Sequence, residues 1–190
     1  GLDLAVGRIL GRLSTLNLDG NTVIIFCSDN GMMFGEHGLG GKWLMYEESI
    51  RVPMIVYDPR VISSGPDRIS DEMVLNIDVA PTIMEFAGFN APLSMQGQSM
   101  VSLLTEPSMA FREDWFYEHH ALSDHIPASE GVRTRNWKYM RFINEDPIYE
   151  ALYDLESDPQ ETQNLASLKQ YNHILSNMRA KCAQLKQAVR

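Results

Sequence analysis

The sequence predicts an α/β arrangement followed by a small α+β unit in which an antiparallel sheet meets one long helix. Three observations carry this. A helical pattern runs into Val23-Ile24-Ile25-Phe26, an apolar run without polar alternation; such a run suits a strand buried on both faces of a parallel sheet. From about Asp114 the pattern turns to clustered aromatic strands, which after αβ units suggest a separate antiparallel layer. Finally Leu168, Tyr171, Leu175, Met178, Cys182, Leu185 and Val189 recur by threes and fours, the stripe of a long helix packing on that layer. The expected division gives segments 1–108 and 109–190.

In chain order, Leu2, Val6, Ile9, Leu10 and Leu13 share one helical face with Arg8 and Arg12 off it, so the opening is an amphipathic helix. Leu18-Asp19-Gly20-Asn21 turns the chain into the apolar strand. Met54–Tyr57 is a second strand, expected in the same sheet and ended by Asp58-Pro59. Residues Ser63 to Ser70 read as loop, and Met73 to Ile77 as a further strand. Asp78 is placed to cap a helix that tolerates Pro81 in its first turn and stops at Gly88. After a connector from Asn90 to Gly97, Ser99 to Thr105 reads as one short helix. The aromatic strands are Trp115–Tyr117, Gly131–Arg133 and Trp137–Phe142, with Tyr149–Leu155 as an edge strand.

Composition is that of an ordinary soluble domain, with 44% apolar and 22% charged residues. Sixteen basic against twenty-five acidic residues leave a net charge of −9, which argues against a general nucleic-acid binder. No apolar run approaches the roughly 20 residues that span a bilayer. The chain starts at Gly1 inside a helix pattern, which reads as a cut or processed end and leaves the compartment unread. Cys27 and Cys182 form no metal spacing or disulfide framework and both look like small core residues. Lys169, Arg179, Lys181, Lys186 and Arg190 stand on the last helix and read as a solvated face suited to a helix C-terminus. Its stripe spans only about three heptads, so docking on its own domain is expected ahead of a coiled coil.

The candidate chemistry sits after the first strand. Ser28-Asp29-Asn30-Gly31 puts a carboxylate and a carboxamide at the strand's tip, where open α/β sheets bind ligands. Alone this is good turn chemistry; as a site, Asp29 and Asn30 are hard oxygen donors suited to Ca²⁺ or Mg²⁺. Gly31 lets the backbone turn. Gly35-Glu36-His37-Gly38 and Gly40-Gly41-Lys42 then place a carboxylate, an imidazole and an ammonium in one glycine-rich loop. A lysine there is either a solvated loop residue or a point charge for an oxyanion.

The ordered set of pieces resembles the formylglycine-dependent sulfatases of the alkaline phosphatase superfamily: SDNG after an apolar strand, GEHGL, GK followed by YEES, and RVPMIV. DVAPTIMEFAG, MQGQSM, EGVRTRNWKYMRF and LYDLESDPQETQNLA extend the match over most of the chain. The resemblance is to the C-terminal part of such an enzyme. It implies part of an alkaline-phosphatase-like sheet with flanking helices, followed by the small C-terminal subdomain. It also implies hydrolysis of sulfate monoesters of a sugar or aryl compound, and a periplasmic, secreted or lysosomal setting. The family's nucleophile comes from a Cys-x-Pro/Ala-x-Arg motif oxidised to formylglycine. Cys27, followed by Ser-Asp-Asn-Gly, does not match it, so the formylglycine and two further aspartate ligands are expected in a missing N-terminal part. The 190-residue chain alone is expected to have no turnover.

By the same resemblance Asp29 and Asn30 are metal ligands, and Lys42 contacts the sulfate and the leaving ester oxygen. His37 either hydrogen-bonds substrate or a ligand, or pins its loop. Glu36 is expected to order the loop, with Arg51 as its partner, while Tyr46, Glu47 and Arg51 hold the loop on the sheet. His119, His120 and Arg133 are candidates for reading the alcohol or sugar portion; adjacent strand residues point to opposite faces, so at most one histidine faces a single site. His125 and His173 carry no signal. Two other readings remain: a phosphonate or phosphodiester hydrolase of the same superfamily, and a non-catalytic assembly module. An exposed edge of the first strand is expected to pair with a second copy, as a homodimer.

Overall fold

The computed structural model describes residues 1–61, 69–120 and 126–189. Most of the Ser63–Ser70 stretch, His125 and Arg190 lie outside these.

The opening helix, α1 (Leu2–Thr15), forms as its periodicity predicts, but none of its residues is buried. Leu2, Leu4 and Ile9 stand more than half exposed, so the apolar stripe has no cover within the described residues. A single 3₁₀ turn, Asp19–Asn21, leads to strand β1 (Ile24–Cys27). Its partner corrects the expectation of a parallel sheet: the chain returns as β4 (Met54–Tyr57) and pairs antiparallel, with Ile24 opposite Tyr57 and Cys27 opposite Met54. An apolar run does not state which way its neighbour runs. In this pair Ile24–Phe26 are only half-buried and Cys27 is exposed, so Cys27 is no core residue. Cys182 is buried as expected.

Between β1 and β4 the loop makes a two-residue pairing of β2 (Met33–Phe34) with β3 (Gly40–Gly41), then a single helical turn, α2 (Glu47–Ile50). Beyond β4, the expected strand at Met73–Ile77 does not form; a 3₁₀ turn occupies Asn76–Asp78. Side chains take the backbone groups that a ladder would have used. The Asp78 carboxylate accepts the Leu75 amide at 2.7 Å, and Arg112 donates to the Met73 carbonyl at 2.9 Å. Asp78 precedes helix α3 (Val79–Phe86) as predicted, but its fully buried carboxylate turns to Arg112 at 2.7 and 2.8 Å and to the Gln98 amide. Ser99–Thr105 tightens to a 3₁₀ turn, Val101–Leu104.

The C-terminal half follows the sequence closely. Strands β5 (Asp114–His119), β6 (Ser129–Thr134), β7 (Trp137–Phe142) and β8 (Tyr149–Asp154) form one antiparallel sheet in that order, with β8 at an edge. Helix α4 (Asn172–Ala188) closes the chain. Period-two alternation divides the sheet's residues between two cores. Val132, Tyr139 and Leu152 face α4 and meet Leu175, Met178 and Cys182. Met140, Ala151 and Tyr153 face the other way and meet Met33, Leu44, Met45 and Tyr46 from the glycine-rich loop. The basic face of α4 is a second correction. Arg179, Lys181 and Lys186 reach Glu150, Asp114 and Glu130 on the sheet, so these cations fasten the helix where a solvated face was expected.

Candidate functional site

The loop from Ser28 to Pro53 lies between the β1–β4 pair and the C-terminal sheet, and close backbone approach fixes its start. A Cβ on Gly31 would stand 2.0 Å from the Glu48 carbonyl oxygen, while the Gly31 amide donates to Ser49 at 2.9 Å. Glycine is needed here for contact with α2 more than for the turn that was expected of it. The other end is anchored on the C-terminal sheet. Met45 is fully buried, with its sulfur over Gly131, where a Cβ would come within 2.6 Å of it.

Between these anchors a hollow of about 660 Å³ opens. Asp29, Asn30 and Lys42 line one side; Trp115, Tyr117, His119 and Arg133, from β5 and β6, line the other. The Lys42 ammonium donates to Asn30 Oδ1 at 2.7 Å, so the carboxamide oxygen is turned towards a cation. Three residues predicted from the strand tip and the loop thus share one space. Asp29 and Asn30 together offer hard oxygens, which fit a Ca²⁺- or Mg²⁺-sized ion better than a soft metal.

The two histidines separate as the strand's alternation requires. His119 lines the hollow, and its Nδ1 is buried with no hydrogen-bond partner among the described residues. Burial, with a smaller push from neighbouring His120, lowers its pKa below the ordinary histidine value. His120 points to solvent, 78% exposed, with Glu118 at 4.0 Å. Arg133 reaches the hollow's wall, but its guanidinium is engaged by Glu47 at 3.0 and 3.4 Å.

His37 is not among the residues lining the hollow. Its ring stacks on Tyr46 at 3.9 Å and its Nε2 lies 3.2 Å from Glu48. That is the loop-pinning alternative. Glu36 orders the loop by accepting the Phe34 amide, not through Arg51. Tyr46 and Glu47 do hold the loop on the sheet: Tyr46 is buried with its hydroxyl 3.4 Å from that of Tyr153.

The residues that sequence reasoning missed lie beneath Glu47. Lys138, wholly buried on β7, stands 2.8 Å from Glu47 and 2.7 Å from Glu161. The other oxygen of Glu161 accepts the Glu47 amide at 2.7 Å, satisfying an orphan donor at the start of α2. Burial pushes the Glu47 pKa up, but Lys138 and Arg133 outweigh it and the net shift is down. For Glu161 burial dominates the pull of Lys138 and the net shift is up. A signal was present: Lys138 alternates in phase with Met140 and Phe142, which puts a cation on an apolar face. His37, Glu48 and Glu161 also bring ligand atoms within 4.8 Å of one another. Each already has a protein partner, so the cluster acts as a clamp on the loop.

The family described as N-sulphoglucosamine sulphohydrolase, C-terminal, matches residues 35–188. An N-acetylglucosamine-6-O-sulfatase of Bacteroides thetaiotaomicron is 33% identical over 180 residues, covering 90% of this chain and 31% of the relative. A protein solved in complex with its substrate D-glucosamine-2-N,6-O-disulfate superposes with a TM-score of 0.88 at 30% identity, over 97% of this chain and 38% of the other. The phosphonate monoester hydrolase of Agrobacterium radiobacter shares the fold, with a TM-score of 0.82 at 23% identity over 99% of this chain and 39% of its own. The chain thus spans about a third of the sulfatase relative's length. The match over residues 35–188, most of the chain, makes it a member of the N-sulphoglucosamine sulphohydrolase C-terminal family.

Proposed function

We propose that this chain is the C-terminal part of a sulfatase, with residues 1–108 completing an α/β core and residues 109–190 forming the subdomain that braces it. The observation that carries the reading is the single hollow shared by Asp29, Asn30 and Lys42, with His119 on the facing wall. Asp29 and Asn30 are assigned as ligands of a Ca²⁺ ion, with Mg²⁺ as the other hard cation. When bound, such an ion supplies Lewis acidity towards a sulfate oxygen. A formylglycine nucleophile is assigned to the N-terminal part of the whole protein.

Lys42 has two tasks in this reading. Its ammonium binds a sulfate oxygen, and it holds a fixed positive charge where the leaving oxygen becomes negative as the S–O bond breaks. His119, neutral near pH 7 because of its lowered pKa, can give or take one hydrogen bond with a sugar hydroxyl. Trp115 and Tyr117 offer apolar walls beside it. Arg133 acts through Glu47 on the loop. A relative named for N-acetylglucosamine 6-O-sulfate and a structure solved with a glucosamine disulfate support a sulfated glucosamine as substrate, and relatives named arylsulfatase keep an aryl sulfate beside it. The half-exposed β1–β4 pair is the surface assigned to self-association, to be checked by light scattering; a monomer at high concentration would remove that assignment.

The deciding experiment uses the full-length protein, calcium and three substrates: glucosamine 6-sulfate, an aryl sulfate and an aryl phosphonate monoester. Sulfate release that falls at least about a hundredfold on Asp29→Ala or Lys42→Ala, and that stops with chelator, is the expected result. Turnover of the phosphonate with the sulfates untouched would replace this reading by the phosphonate hydrolase. No turnover of any of them would favour the assembly module.

A further inference from the structure

We propose that Tyr117 is a positioning residue for Lys42, holding from the C-terminal sheet the strained backbone that carries the ammonium into the hollow. The Tyr117 hydroxyl donates to the Trp43 carbonyl at 2.6 Å, across 74 positions of sequence. Trp43 has φ 82°, and Gly41 on the other side of Lys42 has φ 95°. Glycine accepts that conformation freely. An L residue does not, and persists there only where its surroundings over-determine it. Lys42 therefore leaves a backbone whose preceding residue is permissive and whose following residue needs a restraint.

The surrounding contacts leave Tyr117 as the group that supplies it. The tip of Lys42 is held by Asn30 at 2.7 Å, but that bond fixes only the far end of a flexible stem. Downstream, Met45 is locked over Gly131, two residues beyond the strained peptide. The phenol meets the Trp43 carbonyl itself. Burial pushes the Tyr117 pKa up to about 12, so the hydroxyl stays a donor throughout the working range of pH. The Tyr117 ring lines the hollow while its hydroxyl is committed to Trp43. The ring and the hydroxyl can therefore be tested apart.

The proposal rests on the role given to Lys42, and a double-mutant cycle in the full-length protein separates the two. Tyr117→Phe should lower kcat on sulfate esters about tenfold with KM nearly unchanged, short of the roughly hundredfold that a 1 Å misplacement costs. In the Lys42→Ala background the same change should cost less than about twofold, because the two residues act as one unit. Tyr117→4-aminophenylalanine, which keeps the ring and returns a donor, should recover most of the turnover. Should Tyr117→Phe fold poorly, Tyr117→4-methylphenylalanine, which fills the place of the hydroxyl without a donor, should show the same loss of kcat. Equal losses in both backgrounds, a rise in KM at constant kcat, or no gain from the amino variant over phenylalanine would each overturn the positioning role alone. If Lys42→Ala keeps wild-type kcat, the reading of Lys42 falls and the positioning role with it.

Discussion

Lys138→Met tests the ionic clamp beneath the loop. The substitution nearly keeps the volume of the side chain, one atom shorter, and removes a charge that is wholly buried between Glu47 and Glu161. Glu47 retains Arg133 at 3.0 Å and stays ionised. Glu161, with no side-chain exposure, loses its counter-ion and must either hold an uncompensated charge or take up a proton. Protonation is the cheaper course. Its cost at pH 7 is about 1.36 kcal/mol for each unit between an unperturbed glutamate near 4.3 and the solution, so up to about 3.7 kcal/mol. That agrees with the roughly 3–5 kcal/mol usual for breaking one side of a buried pair. The folded variant then binds one more proton than the unfolded chain, so its stability falls as pH rises. Because burial already raises the Glu161 pKa in the wild type, the penalty should shrink from at most about 3.7 kcal/mol at pH 7 to at most about 1.6 kcal/mol at pH 5.5. Urea unfolding of both proteins at the two pH values, followed by tryptophan fluorescence, measures this, provided the m-values match. Lys138→Met/Glu161→Gln should be less destabilised at pH 7 and free of the slope. A penalty under about 1 kcal/mol at pH 7, or one that does not change with pH, would refute the buried-charge argument.

Three further outcomes follow from the same structure. Gly31→Ala drives a methyl into the Glu48 carbonyl and should cost at least about 2 kcal/mol, lowering the melting temperature; an unchanged melt would deny the close approach. His119→Ala should raise KM for a sulfated sugar several-fold with kcat largely kept, while His120→Ala does neither, and equal effects from the two would break the assignment of faces. Glu130, where Lys186 and Arg141 outweigh burial, and Glu150, held by Arg179, both have lowered pKa values. Their stabilisation is present above the unfolded glutamate value of about 4.3 and is lost as pH falls through the depressed folded values. Acid unfolding should therefore begin below about pH 4.3, and Glu130→Gln should flatten that limb; an identical acid limb would count against the pairing.

Local pattern was enough for much of this protein. Clustered aromatic residues named the four C-terminal strands, and spacing by threes and fours named α1 and α4, because both are features of each element's own residues. The candidate site was legible in the same way, since oxygen donors at a strand's tip and a lysine after two glycines are short-range features. Partners were not legible. Nothing in Val23–Phe26 states that β4 runs antiparallel to it, and nothing in Met73–Ile77 reveals that Asp78 and Arg112 take its backbone groups. The Glu47–Glu161 bond spans 114 positions, and the Tyr117–Trp43 bond 74. Such contacts depend on how two separately formed layers meet, and that registry is set by the packing of Met45 on Gly131 and of Lys138 between two carboxylates. Which of two adjacent histidines enters the hollow, and which cations fasten α4, were decided there too, because alternation divides faces without saying what each face will meet.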